Sequence, residues 1–395
     1  MGQKKIAIIA THPVQYQAPL FRALAANVGL DLEVFFCHQA TPEQQASAGF
    51  GLPFDWDVSL LDGYKYRFLK NVSAKPDANT YYGLDSPEVA WIIEQNKYDV
   101  VIVYGWHYKS AWQAMRACWR TKTPVMARGD SHLKTERPTL KRAVKLPLYR
   151  WFIPKLEACL SAGKWSREYF LHYGAPPERI FLVPYFVDDR YFADETQRLL
   201  PDRPALRRAW DFDESTVVSL FAGKFIQKKR PLDFVRAFER AHEQGSRVAG
   251  LMVGDGPLRA ECERLVHEHR LPIRFTGFLN QSEIARAYVT ADVLVLPSDG
   301  GETWGLVVNE AMSCGLPCIV SDHVGCGPDM VVRGETGDVF ALGDVDELAH
   351  LLSYYAKNPL QIKTMRGRSR EKARQFSSEA AVAGVIEALD SLNGR

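Results

Sequence analysis

The chain has 395 residues, of which 46% are hydrophobic and 24% charged, with a formal net charge of +2. This length predicts two domains of similar size rather than one compact core, in a chain with the composition of an ordinary soluble globular protein. The near-neutral charge does not indicate a nucleic-acid partner, no apolar run approaches the roughly 20 residues of a membrane span, and seven scattered cysteines favour a reducing cytoplasm.

The first half of the chain alternates strand and helix patterns. Short apolar runs predict strands at 6–10, 32–36, 100–104, 124–127 and 157–162, and helices are predicted at 19–26, 87–95 and 110–120. Residues 41–82 form a long, aromatic and irregular stretch. The alternation predicts an α/β fold with a parallel, doubly wound sheet, whose ligands bind at the carboxyl ends of the strands.

Polar residues follow three of these predicted strands, where such a sheet opens into a cleft. They are taken as candidate cleft residues, although a single histidine at such a place is equally compatible with a structural role. The candidates are His12, His107, Arg128, Asp130 and His132.

Residues 134–155 form a basic segment interleaved with apolar residues, among them Val144, Leu148 and Trp151. The segment could lie on an anionic membrane surface or meet an anionic acceptor. We favour a solvated helix face over the core, with Pro147 and Pro154 breaking any long helix. We therefore expect a cytoplasmic protein, with peripheral contact at the inner face of the membrane as the alternative.

The second half repeats the alternation. A charged segment from 184 to about 213 lacks a strand pattern and predicts the passage between domains. Strands are predicted at 217–222, 250–253, 273–276, 293–296 and 318–321, and helices at 231–243, 256–269, 282–290 and 304–313. A capping-box pattern at 344–347 opens a further helix, and an amphipathic helix is predicted over about 377–392.

Residues 298–318 carry the strongest functional pattern. An Asp-Gly-Gly turn breaks the preceding strand, Glu302 lies in the loop before the next helix, and Glu310 lies about two turns inside it. Backbone N–H groups at 303–305 would be the unpaired donors of the helix start, which form a natural anion site. A carboxylate beside an anion site needs a specific partner, so we interpret this unit as a site for a phosphorylated, hydroxyl-rich ligand.

A second pattern supports the first. The strand at 217–222 ends in Gly223-Lys224, and Lys229 follows five residues later. Glycine permits close approach of the backbone, and the lysines supply positive charge. A Lys-Lys-Arg run is usually a solvated face, but this one is predicted at the same sheet edge as Glu302. A diphosphate could sit between these lysines and the helix start at Trp304.

The sequence does not contain complete motifs for other nucleotide-binding, catalytic or metal-binding sites. Gly254-Asp-Gly256 begins a dinucleotide fingerprint, but Arg259 occupies the third glycine position. The sequence has no nucleoside-triphosphate loop, no nucleophile elbow and no His-Glu-x-x-His motif. The aspartate pairs at 211 and 213 and at 344 and 346 fall in a linker and at a helix cap, so we expect no catalytic metal and no cofactor.

Glu302 and Glu310, with seven residues between them, resemble the E-x7-E signature of retaining glycosyltransferases of the GT-B fold, family 4. Gly223-Lys224 with Lys229, and the segments at 254–257 and 276–279, match further family elements in order, with Lys224 in place of the usual arginine. The resemblance implies two facing Rossmann-like domains with a cleft between them. Residues 1–190 would bind the acceptor, 191–375 the nucleotide sugar, and 376–395 would be a helix packing back on the first domain.

The resemblance also implies roles. Lys224 and Lys229 would neutralise the donor diphosphate, Glu310 would bind the ribose hydroxyls, and Glu302 would lie against the donor sugar and stabilise a cationic centre. The stretch at 277–279 would border the nucleobase. The other implied donor contacts are Gly223, Gly277, Phe278, Leu279, Thr303, Trp304 and Gly305.

The first half departs from the family pattern. Residues 11–19 replace the glycine-rich loop found in many relatives, and Tyr185-Phe186 replaces the more usual Asn-Gly. At the family's cleft-histidine position, either His132 takes the role with Asp130 in support, or Arg128 replaces it.

The implied reaction moves a sugar from a nucleotide-diphosphate donor, UDP or GDP being favoured, to an acceptor hydroxyl, with retention and without a metal. The alternatives are a GT-B sugar-nucleotide epimerase or hydrolase, and a non-catalytic nucleotide-sugar-binding subunit of a glycan assembly complex. The presence of Glu302 and both lysines argues against a degenerate site.

Overall fold

The computed structural model describes residues 3–39, 59–135 and 139–392. Its amino-terminal half is built on a sheet of seven described strands in the order β3-β2-β1-β4-β5-β6-β7, and every strand pair is parallel. The elements are β1 Lys4–Ala10, α1 Ala18–Ala25, β2 Leu30–Phe36, β3 Lys65–Phe68, α2 Glu88–Asn96, β4 Val100–Tyr104, α3 Lys109–Thr121, β5 Val125–Gly129, α4 Thr139–Phe152, β6 Ala158–Ser161, α5 Lys164–His172 and β7 Ile180–Leu182.

The carboxyl-terminal half repeats this plan with six described parallel strands in the order β10-β9-β8-β11-β12-β13. Two helices, α6 Asp189–Leu199 and α7 Arg203–Ala209, precede it. The elements are β8 Val217–Ala222, α8 Pro231–Glu243, β9 Val248–Val253, α9 Arg259–Glu268, β10 Ile273–Gly277, α10 Gln281–Thr290, β11 Val293–Leu296, α11 Leu306–Ser313, β12 Cys318–Ser321, α12 Gly327–Met330, β13 Gly337–Phe340, α13 Val345–Lys357, α14 Pro359–Arg374 and α15 Ser378–Asp390.

Each sheet reverses its strand order once, between β1 and β4 in the first sheet and between β8 and β11 in the second. Ligands of open parallel sheets bind in the crevice outside the carboxyl ends of the strands at such a reversal. The loops after β8 and β11 therefore meet at one crevice, and these loops carry Lys224, Lys229 and Glu302. The α/β architecture expected from the sequence is confirmed.

Apolar side chains cover both faces of each sheet. β1, β4, β8 and β11 are almost wholly buried, since helices pack on either side of them. Helix α15 leaves the second domain and packs on the first, where Val385 and Leu389 join the core that holds Ile6 and Ile8. Lys4 fixes the end of this helix by donating a hydrogen bond to the carbonyl of Leu389 at 3.0 Å.

The structure differs from the predicted helices and strands in several places. The irregular stretch at 41–82, part of which lies outside the described residues, contains the edge strand β3, whose side chains are mostly exposed and give no apolar pattern. Pro147 does not break the basic helix but lies inside α4. Helices α5, α6, α7, α12 and α14 and strands β7 and β13 were not predicted.

Candidate functional site

A cavity of about 500 Å³ opens at the crevice between the two domains. The second domain supplies most of its wall, from the loops after β8, β9, β10 and β11 and from the start of α11. Across from them, the first domain and the segment that leaves it contribute four residues, which are Gln15, Tyr16, Asp130 and Tyr185.

Lys229 and Glu302 form an ion pair in the wall of the cavity. Lys229 ends a 3-10 turn after β8, and Glu302 lies in the loop after β11, so the two strands at the reversal each supply one partner. Burial alone would raise the pKa of Glu302. The positive charge and hydrogen bond of Lys229 have the larger effect and hold this pKa below its usual value. Glu302 is therefore a buried anion at neutral pH.

Lys224 lines the same cavity from the loop directly after β8. Burial, together with repulsion from Lys228 and Lys229, lowers the pKa of its ammonium group to about 8. Three lysines crowd one wall here, so the site concentrates positive charge that a ligand with two or more negative charges would neutralise.

Glu310 projects into the cavity from α11. Burial raises its pKa to about 7, while the hydroxyl of Tyr288 on α10 donates to its Oε2 at 2.5 Å. This bond fixes one carboxylate oxygen and orients the side chain. Glu310 thus presents a pre-positioned acceptor for hydroxyl groups.

Asp130 bridges the two domains. Its Oδ2 accepts hydrogen bonds from the hydroxyl of Tyr185 at 3.1 Å and from Thr303 of the second domain at 2.9 Å. Thr303 is the neighbour of Glu302, so Asp130 ties the loop that carries this carboxylate to the first domain. The edge of the Tyr16 ring packs on Tyr185 with 5.4 Å between centroids, which completes this wall.

Two glycines allow the loops of the site to pack on one another. A Cβ atom on Gly254, whose φ is +127°, would lie 2.0 Å from the carbonyl oxygen of Gly223. A Cβ on Gly325 would lie 1.8 Å from the carbonyl oxygen of Thr303. No side chain fits at these distances, so the loops after β8 and β11 depend on glycine at both places.

The sequence of this chain matches two protein-family models. "Glycosyltransferase Family 4" matches residues 19–191 and "Glycosyl transferases group 1" matches residues 202–378, so together they account for most of the sequence. The chain belongs to glycosyltransferase family 4. The family 4 membership that the resemblance implied is confirmed.

Curated relatives of this family 4 chain are moderately similar to it. N-acetyl-alpha-D-glucosaminyl L-malate synthase of Bacillus anthracis is 30% identical over 210 residues, which are 53% of this chain and 52% of the relative. D-inositol 3-phosphate glycosyltransferase 2 of Catenulispora acidiphila is 26% identical over 301 residues, which are 72% of this chain and 66% of the relative. The match thus spans about half to two thirds of the length of these relatives.

Solved structures share the whole fold. A glycosyltransferase from Rickettsia africae superposes with a TM-score of 0.76 at 15% identity, covering 99% of this chain and 100% of its own. HepE from Anabaena, solved in complex with UDP, superposes with a TM-score of 0.72 at 16% identity, covering 98% of this chain and 100% of its own. The family 4 chain has the GT-B fold.

Most residues that the sequence indicated for the donor lie together in this family 4 site. Only Gly277 does not line the cavity, and its carbonyl accepts a hydrogen bond from Gly254 at 2.8 Å. The indole N–H of Trp304 donates to Asn309, so its side chain anchors the helix start. The residues that line the cavity as expected are Gly223, Lys224, Lys229, Phe278, Leu279, Glu302, Thr303, Trp304, Gly305 and Glu310.

Of the five candidate cleft residues, Asp130 lines the cavity. Arg128 is buried, donates to the carbonyl of Val183 at 3.0 Å and stacks on the ring of Tyr185. It therefore does not line the cavity itself but holds the cavity residue Tyr185 in place. His132 is 3% exposed and its ring packs at a tilt of 55° against the ring of Trp165, and within the described chain neither of its ring nitrogens has a hydrogen-bond partner.

His12 and His107 lie outside the cavity, at the neighbouring edge of the first sheet. Burial and the nearby His38 and His107 lower the pKa of His12 to about 4. The ring of His107 is exposed, and its Nε2 lies 3.0 Å from the carbonyl oxygen of Ala78.

Sequence reasoning missed several cavity residues. Gln15 and Tyr16 follow β1 at the strand reversal, and the same strand-end rule that selected His12 would have found them. Tyr185 was noted in the sequence only as a departure from the family pattern, and its contact with Asp130 depends on the tertiary fold. Tyr288 gave no sequence signal; it holds the cavity residue Glu310 from α10.

Within residues 3–39, 59–135 and 139–392, no group of three or more histidine, cysteine or acidic residues is arranged to hold a metal ion. No helix in the described part of the chain has the length and apolar character needed to cross a membrane.

Proposed function

We propose that this chain transfers a sugar from a nucleotide-diphosphate sugar to an acceptor hydroxyl with retention of the anomeric configuration. The observation that carries the proposal is the charge arrangement of the interdomain cavity. Lys224 and Lys229 form a cationic wall, Glu302 is a buried anion paired with Lys229, and Glu310 lies apart from them on α11. These groups match a diphosphate, a reacting sugar and a ribose respectively.

The donor diphosphate would lie against Lys224 and Lys229. As the bond between the anomeric carbon and the diphosphate oxygen breaks, its electron pair goes to the leaving diphosphate and negative charge grows there. Lysines already fixed beside the leaving diphosphate stabilise this charge without the reorganisation that water requires. Glu302 stabilises the positive charge that develops at the anomeric carbon.

The acceptor would enter from the first domain, between Tyr16, Asp130 and Tyr185. Its hydroxyl oxygen attacks the anomeric carbon on the face that the diphosphate leaves, and the hydroxyl proton passes to a diphosphate oxygen. Attack on this face retains the configuration. Among the described residues, Asp130 is the cavity carboxylate of the first domain, so we assign it to positioning the acceptor.

Uridine is the base we propose for the donor. The structurally similar HepE was solved with UDP and with UDP-glucose. Leu279, Asn280 and Gln281 also line the cavity and would border the base.

The test uses Glu302→Gln, which keeps the size of the side chain and removes its charge. UDP-, GDP- and ADP-sugars are screened first by thermal shift, and each sugar that binds is incubated with extracted acceptor pools, with products assigned by NMR. We expect Glu302→Gln to lower transfer by about 100-fold or more. UDP affinity should be unchanged or higher, because Lys229 loses a competing carboxylate.

The control is Glu335→Gln, an exposed carboxylate of the same domain, which should leave the rate unchanged. Full transfer by Glu302→Gln would refute the mechanistic role. Inverted product would refute retention, and donor turnover that is independent of every acceptor would favour the hydrolase or epimerase alternative.

A further inference from the structure

Helix α4 exposes an apolar stripe where a solvated helix carries polar residues. Val144 is 65% exposed, Leu148 42% and Trp151 51%. Their spacing of four and three residues places them on one face of the helix. Phe152 and Ile153 lie in the core of the first domain, so the helix is already anchored by other residues and the stripe faces outward.

Basic residues surround this stripe. The sequence from 139 to 155 contains five lysines and arginines and no acidic residue. Arg150 and Lys155 are exposed, and the ammonium group of Lys155 lies 3.7 Å from the centroid of the Trp151 ring. Trp151 also packs against Trp119 of α3, which is followed by the exposed Arg120, itself ion-paired with Glu94 of α2. Apolar and cationic groups thus share one surface.

We propose that this stripe, Val144, Leu148 and Trp151, docks the first domain on the surface of an anionic lipid bilayer. Protein interfaces deplete lysine in their cores, whereas a helix lying in the membrane interface combines bulky apolar residues with lysine and arginine. Tryptophan is also enriched at the membrane–water boundary. The charge complementarity therefore favours a bilayer with acidic headgroups over a second protein.

Docking through α4 would bring the acceptor side of the cavity near the membrane. The helix follows the strand end that carries Asp130, which lines the cavity. Because α4 packs firmly on the core, the docked surface holds the first domain in a fixed orientation. The acceptor would then be a hydroxyl presented at the bilayer. The docking itself does not depend on the proposed transfer, since it requires neither donor nor acceptor.

The experiment is co-sedimentation of the full chain with vesicles of phosphatidylcholine alone and with about one third phosphatidylglycerol. We expect binding to the anionic vesicles alone, weakened by added salt. Leu148→Glu and Trp151→Glu should each lower the partition coefficient by about tenfold or more. Lys155→Ala should lower it about fivefold, since each basic residue near such a surface contributes about that factor.

Trp91→Glu is the matched control. Trp91 is 60% exposed on α2, a helix that carries Glu88 and Glu94 and no basic residue, so its replacement should leave vesicle binding unchanged. Circular dichroism and melting curves verify that each variant folds. Absence of binding to anionic vesicles, or equal losses for Trp91→Glu and Leu148→Glu, would overturn the proposal. So would a wild-type dimer in ultracentrifugation that Leu148→Glu dissociates, because the stripe would then join two copies of the chain.

Discussion

We expect two ionisable residues to set the pH range in which the cavity binds the proposed donor. Glu310 has a pKa raised to about 7 by burial, and Lys224 has a pKa lowered to about 8 by burial and neighbouring lysines. Below pH 7 Glu310 would be mostly neutral and, in its proposed role, would accept hydrogen bonds from ribose hydroxyls poorly. Above pH 8 Lys224 would lose the positive charge on which its proposed contact with the diphosphate depends.

We therefore predict that UDP affinity is greatest between about pH 7 and pH 8 and falls on either side. Calorimetric titration from pH 5.5 to 9.5 measures it. Glu310→Gln should bind UDP more weakly at pH 7.5 and lose the acidic decline, while the alkaline decline persists. An acidic decline that is the same in Glu310→Gln and the wild type would show that another group causes it.

The same carboxyl group predicts a gain in stability when it is neutralised. The folded-state pKa of Glu310 lies above its usual value of 4.5, so the folded protein loses stability as pH rises from 4.5 through 7. Glu310→Gln removes this loss and keeps an acceptor for Tyr288. Urea unfolding at pH 8 should show a gain of about 1–3 kcal/mol, shrinking below pH 5. A variant less stable than wild type at pH 8 would contradict this reasoning.

At the residue scale, the sequence predicted most of the cavity residues of the second domain but few of those of the first. The two lysines lie in one loop after β8, and Glu302 and Glu310 lie in one loop and the helix that follows it. Within each pair, the short spacing in the sequence therefore reflects the spacing in the site. Asp130 emerged only as one of several candidates, because its role depends on Thr303, which lies 173 positions further along the chain.

At the scale of elements, the loop between β11 and α11 depends on a close backbone contact at Gly325. We predict that Gly325→Ala displaces residues 303–305, lowers UDP affinity and destabilises the fold by about 2 kcal/mol or more, because its Cβ would overlap the Thr303 carbonyl. Melting curves and UDP titration test this.

Gly367 is the matched control for that substitution. It lies within α14, and no atom approaches within 4 Å of the place where its Cβ would lie. Gly367→Ala should therefore raise stability by up to about 1 kcal/mol, since alanine favours a helix. Equal behaviour of the two variants would show that the contact at Gly325 is unimportant.

The predictability of each element follows its burial. β4, β8 and β11 are buried on both faces and were predicted with their bounds from their apolar runs alone. β3 is mostly exposed, so no periodic pattern indicates it. The helices α6 and α7 lie in a charged stretch with prolines, where tertiary packing outweighs the local pattern.

At the scale of the whole molecule, α15 joins the end of the described chain to the first domain. Deleting residues 377–395 would expose the core around Ile6, because Ala381, Val385 and Leu389 pack there. We predict a loss of about 3 kcal/mol or more in the unfolding free energy of that domain, measured by urea unfolding.

Asp390→Asn is the control for this deletion. It removes an exposed ion pair with Lys4, whose charged atoms lie 3.6 Å apart, and should change stability by less than about 1 kcal/mol. A deletion that leaves urea unfolding unchanged would show that α15 does not hold the first domain together.

The measurement that tests the account most directly is calorimetric titration of UDP, GDP and ADP into the wild type and into the double variant Lys224→Ala/Lys229→Ala. We predict that UDP binds the wild type and that the double variant binds it about 100-fold more weakly, because two charged contacts to the diphosphate are lost. Failure of all three nucleotides to bind the wild type, or equal affinity for both proteins, would contradict the assignment of this cavity to a nucleotide sugar.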